Sequence, residues 1–410
     1  MSQDDVGAMP RGLGLTSLSP AFRDDPFTIL NRLRDEAPVF EDGQLRDHIV
    51  STAALAHQVL SDPELLVDPR TVAPSSTRRL RGEDLTVEPS MLHSDGDRHK
   101  RLRTLMLKAF SKQRLEAFRA RTRTICETLF QAIEGQREFD FIERIARPMP
   151  TIVITELLGV DPSQHADFKV WSDRIIADKL NPLADAETRR LGSEASLAIS
   201  RTVAGEVGRR LDSGERPDDL ISGLMDARTG EGERYTVAEI CQQAELLLIA
   251  GNQTTTDLMG TMVKNLMERQ DSYRRLVEDP GLIRNAIEEA LRFEPPIFST
   301  ERVVQQDTDI GGLCVPKGHV IAVMLTAANH DPGLANDPEV FDIRRSNIKH
   351  YAFGGGAHRC IGAPLAKMEC EALLDVMTVR FPTLRAADRT AIYDTSPGFR
   401  GLSSYWLRQT

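Results

Sequence analysis

The sequence predicts a mainly α fold with a small antiparallel β region. Apolar residues recur at helical spacing through most of the chain from Asp25-Pro26-Phe27 onward, and the strand signals gather around residues 311–323. The strongest element opens at Thr236-Val-Ala-Glu239, a capping box in which hydroxyl and carboxylate each satisfy a free backbone N–H. Its apolar pattern runs through Leu246-Leu-Leu-Ile-Ala250 to about Met267, some 30 residues or roughly 45 Å at about 1.5 Å per residue. Such a helix crosses the molecule.

The remaining elements follow in order. Residues 1–20, rich in Gly, Ser, Asp and Pro, read as an unpacked N-terminal arm, and residues 21–410 as one domain without repeats or low-complexity linkers. His99-Lys-Arg-Leu-Arg103 sets an imidazole and a guanidinium four residues apart on a helical segment. Residues 251–256, Gly-Asn-Gln-Thr-Thr-Thr, are poor helix formers at the centre of the long helix, so a local kink is expected there. Asp279-Pro280 opens a further helix and Glu294-Pro295-Pro296 closes it, with Glu289 and Arg292 on one face between them. Residues 311–323 read as a hairpin turning at Pro316-Lys-Gly318.

Composition excludes several classes. A formal charge of −10 argues against a general nucleic-acid binder. The sequence contains no run of roughly 18 apolar residues, and the start lacks the basic and apolar parts of a signal peptide, so a cytoplasmic protein without a membrane anchor is expected. The five cysteines are odd in number and scattered, which offers neither a disulfide framework nor a CxxC site.

The most informative segment is residues 353–362, F-G-G-G-A-H-R-C-I-G. Consecutive glycines let backbone approach a flat object closely, and the bend delivers Cys360 to the start of a helix with Pro364 in its first turn. A thiol there gains from the positive helix end, which favours S⁻ as a metal ligand. Other uses fit less well: a phosphate cradle needs a Gly-Lys-Ser/Thr ending, and His358 is too close in sequence to serve Cys360 as a base.

This segment resembles the haem-binding loop of the cytochromes P-450, and the chain resembles a soluble bacterial member. The resemblance implies the cytochrome P-450 fold and haem b ligated by the Cys360 thiolate, with Phe353 at the head of the loop. It implies that His99, Arg103, Arg302 and His358 hold the haem propionates, a sensible match of donors to carboxylates. Glu289-x-x-Arg292 resembles the family's ExxR pair, with Arg345 as third member, a structural triad that fixes the cysteine loop. Residues 250–255 resemble the oxygen-activation segment: Gly251 makes room for dioxygen and the Thr254 hydroxyl steers a proton. Gln253 departs from the pattern, standing where most relatives carry an acid, so protons are expected to arrive through ordered water or coupling to be poor. Asn329-His-Asp-Pro332 and Phe399-Arg-Gly401 complete the resemblance.

The implied activity is a monooxygenase that places one atom of O2 in a C–H bond of a small substrate. Its electrons derive from NAD(P)H through a ferredoxin or flavodoxin and its reductase, and the enzyme is expected to act as a monomer. By the same resemblance the pocket is lined from residues 80–92, 171–183, 246–250, 296–300 and 396–399; Leu246, Ile249, Ala250, Ile297, Phe298 and Phe399 suggest a lipophilic ligand. Arg78, Arg79 and Arg81 read as a solvent-facing loop. Seven Lys/Arg against two acids in residues 93–114 offer a docking face for an acidic electron donor. A peroxygenase and a non-catalytic haem sensor share the loop and stand as the rival readings.

Overall fold

A computed structural model describes residues 9–78, 90–179, 181 and 183–409. Helices dominate, and the longest, Val237–Glu268, spans 32 residues from the predicted capping box: Glu239 N–H donates to the Thr236 hydroxyl and Thr236 N–H to the Glu239 carboxylate. Its α-helical assignment continues unbroken through residues 251–256. The helix packs on Pro148–Leu158, Ala186–Ser213 and Ile283–Phe293, and its C-terminal half is buried among Leu258, Met259, Met262, Val263 and Leu266. Burial on all sides suits an apolar helix that crosses a core.

The principal sheet has five strands in the order Val39–Glu41, His48–Val50, Val320–Met324, Ser299–Val304, Leu65–Leu66. Its pairs are antiparallel except His48–Val50 with Val320–Met324, which run parallel, so the β region is slightly mixed. The predicted hairpin is corrected. Its turn is Gly311-Gly312, both at positive φ, joining Thr308–Ile310 to Leu313–Val315. Pro316-Lys-Gly318 instead carries the chain into the main sheet, where Gly318 N–H donates to the Val304 carbonyl at 2.7 Å. Two adjacent glycines accept the left-handed conformations of a tight turn more cheaply than Lys317 would.

The N-terminal expectation is also corrected for residues 9–20. Leu15 is fully buried with Phe22, Leu30, Leu33 and Phe298, and the Ser17 hydroxyl donates to the Phe399 carbonyl at 2.7 Å. Leu15 supplies the apolar contact, which composition averaged over 20 residues concealed. Among the described residues, no helix is long and apolar enough to cross a membrane.

Candidate active site

Cys360 sits between the 3₁₀ turn Gly356–His358 and the helix Ala363–Arg380. Its N–H donates to the Phe353 carbonyl at 3.0 Å, closing the bend, while Gly354 N–H donates to Tyr351 at 2.7 Å. Gly354 and Gly356 both have φ of +63°, in the left-handed region. A Cβ on Gly356 would lie 2.0 Å from the Leu60 carbonyl oxygen, so this glycine is required by the helix Ala53–Ser61 behind the loop. Cys360 is exposed. Burial pushes the thiol up, against the N–H groups of Gly362 and Ala363 and the charges of Arg103 and Arg359, so its net shift is opposite to that expected from the helix end alone.

On the long helix, residues 250, 251, 253 and 254 are not buried, although residues 255–263 are. An exposed alanine, Ala250, at the centre of a core helix marks an internal hollow. A Cβ on Gly251 would meet no atom within 4 Å. The Thr254 hydroxyl donates back to the Ala250 carbonyl at 2.7 Å, and Gln253 Nε2 donates to Asp257 Oδ1 at 2.7 Å.

The anion-binding candidates converge near the cysteine loop. His99 and His358 pack together with ring centroids 4.1 Å apart and planes tilted by 32°, and Arg103 donates to the Arg359 carbonyl at 2.7 Å. Arg302 is buried, donating to the carbonyls of Glu301 at 2.8 Å and Gly355 at 3.4 Å. Buried His99 Nε2 has no hydrogen-bond partner among the described residues. Burial, with His358 and Arg103 adding, pushes His99 down to about 4. Orphaned polar atoms of this kind are costly, and a ligand carboxylate would satisfy this one. Asp95, which sequence reasoning missed, accepts from His358 Nε2 at 3.1 Å and from the N–H groups of Val67 and Asp68 at 2.9 Å. It fixes the His358 ring through Nε2.

The triad is built as expected and is far from a surface pair. Glu289 and Arg292 are fully buried and bidentate at 2.8 Å, and Arg345 Nε lies 3.2 Å from Glu289. Arg292 also donates to the Pro338 carbonyl at 2.8 Å, and Arg345 to Val340 at 2.8 Å, so the triad ties down the irregular chain before the cysteine loop. Asn329 extends that tie: its carbonyl accepts from Arg292 at 3.3 Å and its side chain accepts from Tyr351 N–H at 2.7 Å.

Among the pocket candidates, Leu246 and Ile249 are half-buried beside Ala250, and Ile297 forms an isolated bridge with Phe399. Phe399 is buried, and Phe298 is turned elsewhere. It is 1% exposed and packs edge-on against Phe22 at 4.9 Å, because alternation along the extended chain turns it away from Ile297 into the N-terminal cluster. Residues 79–89, with Arg79 and Arg81, lie outside the described residues. Arg78 is buried and pairs with Glu301 at 2.9 Å rather than facing solvent. Sequence reasoning also missed the Glu294–Arg400 pair, buried at 2.9 Å, although Phe399-Arg-Gly401 was conspicuous.

Cys360 at a helix mouth, with His99, Arg103 and Arg302 gathered at the loop, suits a protein that binds a haem through a thiolate. Comparison with known proteins agrees: the Cytochrome P450 family model matches residues 198–395. The chain is 33% identical to the cytochrome P450 monooxygenase PikC of Streptomyces venezuelae, covering 99% of this chain and 96% of that one. It is 32% identical to the 6-deoxyerythronolide B hydroxylase of Saccharopolyspora erythraea, over 89% and 91% of the two chains. The crystal structure of CYP109E1 from Bacillus megaterium in complex with testosterone superposes with a TM-score of 0.84 at 28% identity, covering 94% and 99%. The chain belongs to the cytochrome P450 family and is a haem monooxygenase.

Proposed function

We propose that Cys360 would supply the thiolate ligand of a haem and that His99, Arg103, Arg302 and His358 would hold its propionates. The observation that carries this reading is the orphaned His99 Nε2 beside two buried or half-buried arginines on the cysteine side of the cleft. Bound there, a haem with a thiolate ligand supplies dioxygen activation and the oxidising power for attack on a C–H bond. The protein's residues do the rest. Gly362 and Ala363 N–H groups stabilise charge on Cys360 sulfur, Gly251 would leave room for dioxygen, and the Thr254 hydroxyl would hand on a proton.

The substrate is a lipophilic small molecule lying against Leu246, Ile249, Ala250, Ile297 and Phe399. The apolar wall supports this, as do relatives named for a steroid and for 6-deoxyerythronolide B. Electrons come from NAD(P)H through a ferredoxin and its reductase. The helix Gly96–Ala109 touches the cysteine loop through Arg103 and His99; it bears exposed Lys100 and Lys108, the latter binding the Arg228 carbonyl, and Lys112 is exposed at the start of the next helix. Arg98 and Arg101 pair with Glu239, and Arg114 with Asp218, so the docking charge resides in those lysines. A steroid, fatty-acid and macrolactone panel, scored first by spin-state shift, tests the reading. Turnover with ferredoxin, reductase, NAD(P)H and O2 is expected; turnover with peroxide alone would favour the peroxygenase, and none with either would favour the sensor.

A further inference from the structure

Between Gln242 and Thr254 of the long helix, the positions that are not buried are 242, 245, 246, 249–251, 253 and 254. They recur every three to four residues, so they form a stripe along one side of the helix. Leu246, Ile249 and Ala250 make that stripe apolar, and Glu245 interrupts it. Glu245 Oε2 accepts the hydroxyl of Ser196, on the helix Ala186–Ser213, at 2.6 Å. Among the described residues no other side chain bonds to this carboxyl and no cation pairs with it. Lys179 influences it electrostatically but is exposed and lies 3.5 Å from Asp178. That lysine ends the helix His165–Lys179, which closes on Ala186–Ser213 at Gly192, where a Cβ would fall 2.4 Å from the Asp178 Cβ. Glu245 therefore stands where three helices meet, beside Leu246 and one turn from Ile249.

We propose that Glu245, held by Ser196, is a specificity-determining residue that selects lipophilic substrates carrying a cationic nitrogen. The proposal deepens the substrate reading above and rests on it. A half-buried carboxyl without a counter-ion is costly to charge. Burial accordingly raises the Glu245 pKa, against the opposing effects of the Ser196 hydroxyl and the Lys179 charge. An ammonium seated against Glu245 supplies the missing cation, and the pair is partly withdrawn from water, where charges attract more strongly. A neutral ligand of the same shape gains nothing from the carboxyl. That difference selects the amine. Glu245 precedes Gly251 by six residues, roughly 9 Å along the helix axis at about 1.5 Å per residue. The nitrogen is thereby an anchor held at a distance from the position where Gly251 would leave room for dioxygen, and a distal carbon of the substrate is the one presented there.

The test uses haem-loaded full-length protein and two alkyl chains of equal length, one ending in trimethylammonium and the other in its uncharged isostere, tert-butyl. Neither end can ligate iron, so both report on the pocket alone. The carbon monoxide spectrum is recorded first; absence of a thiolate-type band in wild type would sink the haem-thiolate reading, a failure separate from this one. Dissociation constants are then measured by spin-state shift and, independently of the iron, by calorimetry. Wild type should bind the cationic chain roughly tenfold more tightly than the neutral one, the effect of one partly desolvated charge pair. In Glu245→Gln, which keeps the shape of the side chain and removes its charge, that preference should vanish. Equal binding of the two chains by wild type, or a preference retained by Glu245→Gln, overturns the proposal. Failure of both chains to bind would overturn the lipophilic-substrate reading along with it, which equal binding would not. Should Glu245→Gln not fold, Ser196→Ala must narrow the preference severalfold; an unchanged preference there also overturns the proposal.

Discussion

Gln253 shows how one residue can be legible in identity and illegible in meaning. The sequence marks it as an amide in an acid's place; its partner four residues on becomes visible when Gly401, nearly 150 positions away, is seen to leave room for the Asp257 carboxyl. His99, Arg103 and Cys360 were readable because their spacing matched a family pattern. Asp95 was not, because a lone aspartate before a helix looks like any cap. Glu369 is a second buried acid, on the cysteine helix, with Oε2 lacking a partner among the described residues. Burial raises its pKa well above the usual range. A raised folded-state pKa gives stability that is present below the unfolded carboxylate pKa and lost as pH rises toward the folded value. Glu369→Gln should therefore melt higher than wild type at pH 7, with the gap closing as pH falls to about 4; equal pH profiles for both proteins would contradict this.

At the scale of elements, two clamps hold the cysteine loop. Glu289 and Arg292 are fully buried with Arg345 at the edge, so removing one of the buried partners strands a buried charge. Glu289→Gln should cost about 3–5 kcal/mol and reduce haem retention, measured by denaturant unfolding and the haem-to-protein absorbance ratio. The second clamp joins three elements: Glu288 of the ExxR helix lies 3.0 Å from His350 and also binds Lys367 of the cysteine helix. Its burial is outweighed by hydrogen bonds from His350 and Lys367, which draw Glu288 down to about 2. A depressed carboxylate contributes stability above its unfolded pKa and loses it as pH falls through the folded value. Acid titration of Glu288→Gln should accordingly show a shallower loss of stability between about 4 and about 2 than wild type. The helix carrying these residues was legible from its Asp-Pro opening and Glu-Pro-Pro close. The Gly311-Gly312 turn was missed because Pro-Lys-Gly offered an equally good local signal, and tertiary pairing of Val320–Met324 with Ser299–Val304 decided between them.

Across the whole molecule, fold class and cofactor site were legible because several ordered motifs point to one architecture, while the packing of residues 9–20 depended on contacts with Phe298 and Phe399 far along the chain. Charge is organised at this scale too: an acidic chain of −10 bears exposed Lys100, Lys108 and Lys112 on and just after the helix that touches the cysteine loop. Reversing Lys108 and Lys112 to glutamate should slow reduction by an acidic ferredoxin severalfold at low salt, with the difference shrinking as salt rises; stopped-flow rates that do not move would remove the docking face from the account. The central claim is that Cys360 ligates a haem. The absorption spectrum of the reduced protein under carbon monoxide tests it most directly. A strongly red-shifted Soret band that disappears in Cys360→Ala is the predicted result. A band unchanged by that substitution, or no haem band in properly reconstituted protein, would contradict the claim.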